Sequence, residues 1–234
     1  MSQFQPQPAW IDASTAQTVE RERSFIRSVY AWMFGGLAIT AAAALWVVMS
    51  PAMQQLLFNR TMPWVLFIGE LGLVFFLGAR ITRMSPGAAA AAFLVFSLLN
   101  GLSLSVIFFI YTSGTIFQAF ATAAGMFGAM SVYGMVTKRD LTSMGSFMFM
   151  GLIGIIICSV VNIFLHSPGL AWAISILGVF IFLGLTAYDT QKLKSYATAP
   201  QLRENLAVYG ALQLYLDFIN LFLFMLRILG GNRR

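Results

Sequence analysis

Tyr209, Gln213, Asp217 and Asn220 follow one another at spacings of 4, 4 and 3, in an apolar stretch that contains LYLDFINLFLFML, residues 214–226. On a helix that spacing stacks them along one stripe, which Phe224 and Arg227 continue. A charge at mid-bilayer costs ~2.5–3.5 kcal/mol even on the lenient insertion scale, so an acid kept there is read by default as functional. The chemistry open to it is ion passage, proton binding or the gluing of helices. Two more acids raise the same question. Glu70 lies deep inside VLFIGELGLVFFLGARITR. Arg80 follows about 15 Å further along the helix, too far to pair, so Glu70 needs another partner or a proton. Asp189, in GLTAYDTQKLK, shares a face with Thr186 but stands near the end of its run, where a solvated loop acid is the plain alternative.

Asp189 and Asp217, if brought together, form a pair that cannot both ionise easily in a low-dielectric site and titrates as a unit. Depth stands against the pairing. Asp217 lies about 18 Å into its run, whereas Asp189 is close to the edge. Either the last helix starts above the membrane, or the path is a deep funnel. Asn100 with Ser97 and Ser103, at spacings of 3 and 3, and Asn162 with Ser159 and His166, at 3 and 4, share a helix face in each case, which suits hydrogen bonds between helices.

Other site chemistries are excluded. Cys158 is the single cysteine and His166 the single histidine, so there is neither a disulfide framework nor a His-rich metal cage. No DxDxDG loop is present, so any calcium site must use few, spread carboxylates and be weak and permeable. All three lysines fall in loops, which excludes a retinal Schiff base within a span. The net charge of +6 comes with no basic face, so nucleic acid is not expected as a partner.

The elements that must position these residues are transmembrane helices. The chain has 234 residues, 59% hydrophobic and 9% charged, which is the balance of a polytopic membrane protein. Seven runs are long enough to cross: roughly 28–49, 63–81, 86–111, 115–136, 144–165, 169–189 and 205–229. Proline or glycine marks most of the breaks. The small-residue ladders Gly36-Thr40-Ala44, Ala121-Gly125-Ala129 and Ala124-Gly128 predict close helix packing and require no dimer. The expected organisation is a polar tail over 1–27, one membrane domain over 28–230 and a basic end over 231–234. The tail is a retained segment rather than a signal peptide. Arg21, Arg23 and Arg27 would let its last turns lie along an anionic surface.

If the spans alternate, Arg21, Arg23, Arg27, Arg80, Arg83, Lys138, Arg139, Lys192, Lys194 and Arg203 share one side. Arg60 and the terminal Arg233 and Arg234 take the other. The positive-inside rule then puts the N-terminus in the cytoplasm. A re-entrant last segment would keep Arg233 and Arg234 inside, but 205–229 is long enough to cross, and seven full spans are expected.

These residues resemble a known family. NGLSLS at 100–105, GLTAYDTQKLK at 184–194 and LYLDFINLFLFMLRILG at 214–230 look like signature segments of the Bax-inhibitor family, the transmembrane Bax inhibitor motif proteins. The resemblance covers residues 25–230. It implies an all-α, seven-helix bundle with the C-terminal helix at its centre and the other six around it. It implies a pH-sensitive calcium leak of a bacterial inner membrane. By motif match, Asp189 and Asp217 are the family's proton-sensing pair and its weak, transient calcium site, and Glu70 is the acid of ion passage, with Gln213 and Asn220 on the same path. The family's basic latch at the end of the second helix falls on Ile81 here, between Arg80 and Arg83, the candidates for the latch, and a small rotation would let Arg80 replace it. The resemblance also implies, for some bacterial members, restraint of a membrane-anchored quality-control protease.

The reading is therefore a proton-gated cation leak with no cofactor and no enzymatic activity. Its rival is an interaction protein that restrains a membrane protease without flux. An intramembrane aspartyl protease is the third class. LYLD lacks the GxGD context of such enzymes, and catalysis would need the carboxyls close enough to share a water or proton.

Overall fold

The computed structural model describes residues 9–197 and 204–231, with side chains from Thr18 onward. Its helices are α1 (Ala9–Met49), α2 (Pro51–Leu57), α3 (Met62–Arg80), α4 (Pro86–Leu104), α5 (Ile107–Ile110), α6 (Ser113–Val136), α7 (Thr142–Leu165), α8 (Pro168–Ala197) and α9 (Glu204–Gly230). Proline opens α2, α4 and α8, where its missing N–H costs nothing. Ser50, Ser85 and Thr112 cap their helices by accepting from the amides of Met53, Ala88 and Thr115. Before α7, hydrogen bonds from the Thr142 side chain and amide hold the Asp140 carboxyl below its ordinary range. That support is present at neutral pH and is lost as pH falls through the lowered value.

Seven segments are long and apolar enough to cross a bilayer, and α3 and α4 reach that length together with the short helical turns that follow them. Three boundaries differ from those expected. The polar residues from Ala9 and the first span form one unbroken helix, α1. A short helix, α2, occupies the loop after the first span. The sixth span runs on to Ala197, because TQKLKSYA contains no breaker. Its Lys192 ammonium lies over the rings of Tyr188 and Tyr196, at 5.6 and 5.8 Å. Lys194 bonds the carbonyl of Met135 on α6.

The last helix lies at the centre. Four helices pack on α9 directly: α1 and α4 on one side, α6 and α8 on the other. The expected sheath of six is thus a sheath of four. α3 packs outside α4, and α7 packs outside α8. Their Leu71 and Val74, on α3, and Phe149 and Leu152, on α7, line one cavity between them. Asn205, at the start of α9, meets the turn after α3, while Gly230, at its end, meets the ring of Tyr111 after α5. α9 therefore runs as one helix from the end of α3 to the end of α5, and it is long and apolar enough to cross a bilayer. Arg203, Arg233 and Arg234 lie outside the described residues.

Small residues set the closest approaches, but not always those expected. On α1, Gly36 faces the Phe93 ring and Ser97 of α4, and Gly101 of α4 faces the backbone at Thr40. On α6 the ladder of Ala121, Gly125 and Ala129 is exposed. The buried face is instead Ala119, Ala123, Phe127, Ser131 and Gly134. Two small-residue stripes coexist on α6, and only packing against α8 and α9 chooses between them. Gly134 has no room for a methyl group, because a Cβ there would collide with the Ala187 carbonyl of α8, whereas Gly125 has open space. Gly134→Ala is expected to cost about 1–3 kcal/mol by overpacking. Gly125→Ala should leave the protein unchanged. Thermal unfolding in detergent compares the two.

Candidate functional site

The extension of α8 answers the question of depth. Asp189 stands eight residues before its end, about 12 Å inside. Gln213 Nε2 of α9 donates to Asp189 Oδ1 at 3.4 Å, so Asp189 is level with a residue one turn from Asp217. Asp217 is only 5% exposed, and its Oδ2 has no hydrogen-bond partner. Asp189, Gln213, Asp217 and Asn220 all line the cavity between α3 and α7, which has a volume of about 1090 Å³. Lys192 lines it too. The Asn220 amide donates to its own helix at the Leu216 carbonyl, 2.8 Å away, which leaves its side-chain oxygen for other contacts.

Glu70 sits elsewhere. It does not line that cavity but a smaller one of about 260 Å³, with Pro63, Leu66 and Ser103. Its partners are Asn100, whose Nδ2 donates to Oε2 at 3.4 Å, and the hydroxyl of Ser103. Two of the first polar triplet, Asn100 and Ser103, thus bond between helices as expected, while the Ser97 hydroxyl donates to the Phe93 carbonyl of its own helix. The second triplet does not bond between helices. Ser159 donates to Ile155 of its own helix, and Asn162 accepts from the Ser167 amide. Asn162 closes the turn in which His166 takes a left-handed conformation, φ 49°.

Arg80 and Arg83, the candidates for the latch, are exposed, and Ile81 between them is fully buried in the core. Asn205 joins this end of α3 to α9. Its Nδ2 donates to the carbonyls of Ile81 and Met84, at 3.0 and 3.2 Å, and clasps the end of α3 to the start of α9. Sequence reasoning missed Asn205. The signal was an amide in the first turn of an otherwise apolar helix. It also missed Tyr215, buried completely on α9 with its hydroxyl 2.6 Å from Thr40 Oγ1.

Among the described residues, no three His, Cys, Asp or Glu side chains gather as a metal site. Two carboxylates with nearby amides offer a hard cation fewer oxygens than the six to eight it takes at rest.

The family model described as "Inhibitor of apoptosis-promoting Bax1" matches residues 22–234. The chain belongs to the Bax inhibitor family. It is 48% identical to a protein named "Inner membrane protein YbhL" of Escherichia coli K12, over 90% of this chain and 93% of the relative. Uncharacterized proteins of Borreliella burgdorferi and Deinococcus radiodurans are 43% and 40% identical, each match covering 93% of this chain. The family match takes in the helical residues from Glu22 of α1, so the polar start of that helix belongs partly to the family domain.

In this member of the family the clasp at Asn205 carries the joint between α3 and α9. Asn205→Ala is expected to destabilise the protein by about 1–3 kcal/mol, the cost of leaving buried polar groups unsatisfied. Arg80→Ala, at an exposed site, should stay within about 0.5 kcal/mol. Urea or thermal unfolding in detergent distinguishes them.

Proposed function

We propose that the protein is a pH-gated cation leak of a bacterial inner membrane, with calcium as the permeant ion and Asp189 and Asp217 as the proton sensor. The observation that carries this reading is the placement of both carboxylates on one cavity inside the spans, with one Asp217 oxygen unpartnered. At low pH one proton shared by the pair removes a charge and lets the carboxyls approach. At higher pH both ionise, repel one another and offer an electronegative path to a divalent cation. The clasp supports the same division of labour. Asn205 cannot titrate, so the pH response rests on the aspartates and the nearby Lys192 rather than on a charged latch. Glu70, on a separate cavity, serves as a second station for the ion. The aspartates act as sensors and ligands in this reading, not as catalysts.

Orientation follows from the basic residues. Arg80, Arg83, Lys138, Arg139, Lys192 and Lys194 lie at or near the end where α3, α6 and α8 finish. By the positive-inside rule that end is cytoplasmic, and the N-terminus is with it.

Reconstituted wild type should pass calcium faster as pH rises. Asp217→Asn is expected to flatten the pH dependence, and Asp189→Asn to flatten it as well. A pH profile unchanged in both variants would sink the sensor role. Absence of flux in the wild type would overturn the leak and favour a protein that acts by restraining a membrane protease.

A further inference from the structure

The hydroxyl of Tyr215 belongs to a chain of hydrogen bonds that crosses four helices. Thr40 of α1 and Tyr215 of α9 are 2.6 Å apart, oxygen to oxygen. Tyr215 donates to Asn100 Oδ1 of α4 at 3.2 Å. Asn100 Nδ2 donates to Glu70 of α3. A carboxylate only accepts, so the amide turns its nitrogen to Glu70 and its oxygen to Tyr215. Tyr215 has one proton, and in giving it to Asn100 it points toward Glu70. The Thr40 hydroxyl, which also has one proton, lies within reach of the Gly36 and Ser97 carbonyls, at 3.0 and 2.9 Å, as well as of Tyr215. The two bonds that lead from Tyr215 to Glu70 run head to tail and polarise one another.

The ring of Tyr215 has no freedom to wander. It makes edge contacts with Phe93 and Phe96 of α4, at centroid distances of 5.7 and 5.9 Å. Tyr215 and Asp217 are two residues apart on one helix, about 200° around its axis. α9 therefore presents its acid to the large cavity and its phenol to the opposite side, where Glu70 is held.

We propose that Tyr215 is the positioning residue for Glu70, tying that carboxylate through Asn100 to the helix that carries Asp217. The proposal deepens the reading of Glu70 as an ion-path acid and rests on it. A shift or rotation of α9 that alters the aspartate pair must also pull on the Glu70 hydrogen bonds. The two acidic stations, on separate cavities, thereby answer to one helix.

The test is the infrared carboxylate band of Glu70 in the full chain, assigned by difference against Glu70→Gln. Tyr215→Phe keeps the ring and removes only the hydroxyl. The Glu70 band should shift in that variant, and an unmoved band overturns the proposal. If Tyr215→Phe does not fold, Thr40→Val removes the hydroxyl bonded to the phenol and must move the band instead. Melting temperatures supply an independent check. The loss caused by Tyr215→Phe should fall to less than half in a Glu70→Gln background, and equal losses in both backgrounds overturn the link. None of these readouts needs ion flux. A wild type without flux would sink the leak and leave this result to be judged on its own.

Discussion

Inside hydrocarbon a polar side chain has only protein, or a protein-lined cavity, to turn to. α9 is built around that constraint. It carries Asn205, Gln213, Tyr215, Asp217 and Asn220, and a helix with so many polar groups cannot face lipid. Burial at the centre gives each of them something to meet. Asn205 finds the carbonyls after α3, Gln213 finds Asp189, and Tyr215 finds Thr40 and Asn100. The placement of the other helices follows from serving this one.

On α9, Asn205 Oδ1 and Asp217 Oδ2 are buried without a partner, a state that costs free energy. Asp217 is the informative one. The oxygen belongs to a residue on the wall of a cavity rather than in packed core. The fold holds the cost in place through rigid contacts nearby. Phe218, the next residue, packs edge-on against Phe120 and Phe127 of α6, at centroid distances of 5.4 and 5.6 Å. Such contacts fix the helix while leaving the carboxylate available.

α3 and α7 flank the cavity on which the aspartates lie. Neither packs broadly on α9, and the space between them is where the aspartates are reached. Close approach elsewhere compensates for the opening. Gly36 and Gly101 bring α1 and α4 together, and Gly134 brings α6 against α8. Small residues therefore give a tight inner bundle of five helices, with two more held outside it. Mobility is most economically placed in those two outer helices, because moving them disturbs the fewest buried contacts.

Much of this was legible in the chain. Seven apolar runs, their proline-marked ends and the polar stripe on the last run are local properties. Backbone hydrogen bonding in lipid permits little but helices, so run length and periodicity decide the elements. The family resemblance added the central place of the last helix. What no run could disclose is which face of a helix meets which neighbour. α6 carries two stripes of small residues, and only the shapes of α8 and α9 select one. The depth of Asp189 depended on α8 outlasting its apolar run, through contacts of Lys192 and Lys194 with groups far along the chain or a turn away. The partners of Glu70, thirty and thirty-three residues distant, and the clasp of Asn205 on Ile81, more distant still, are meetings across space. Spacing along one helix fixes which side chains share a face, and packing among helices alone decides what that face will touch.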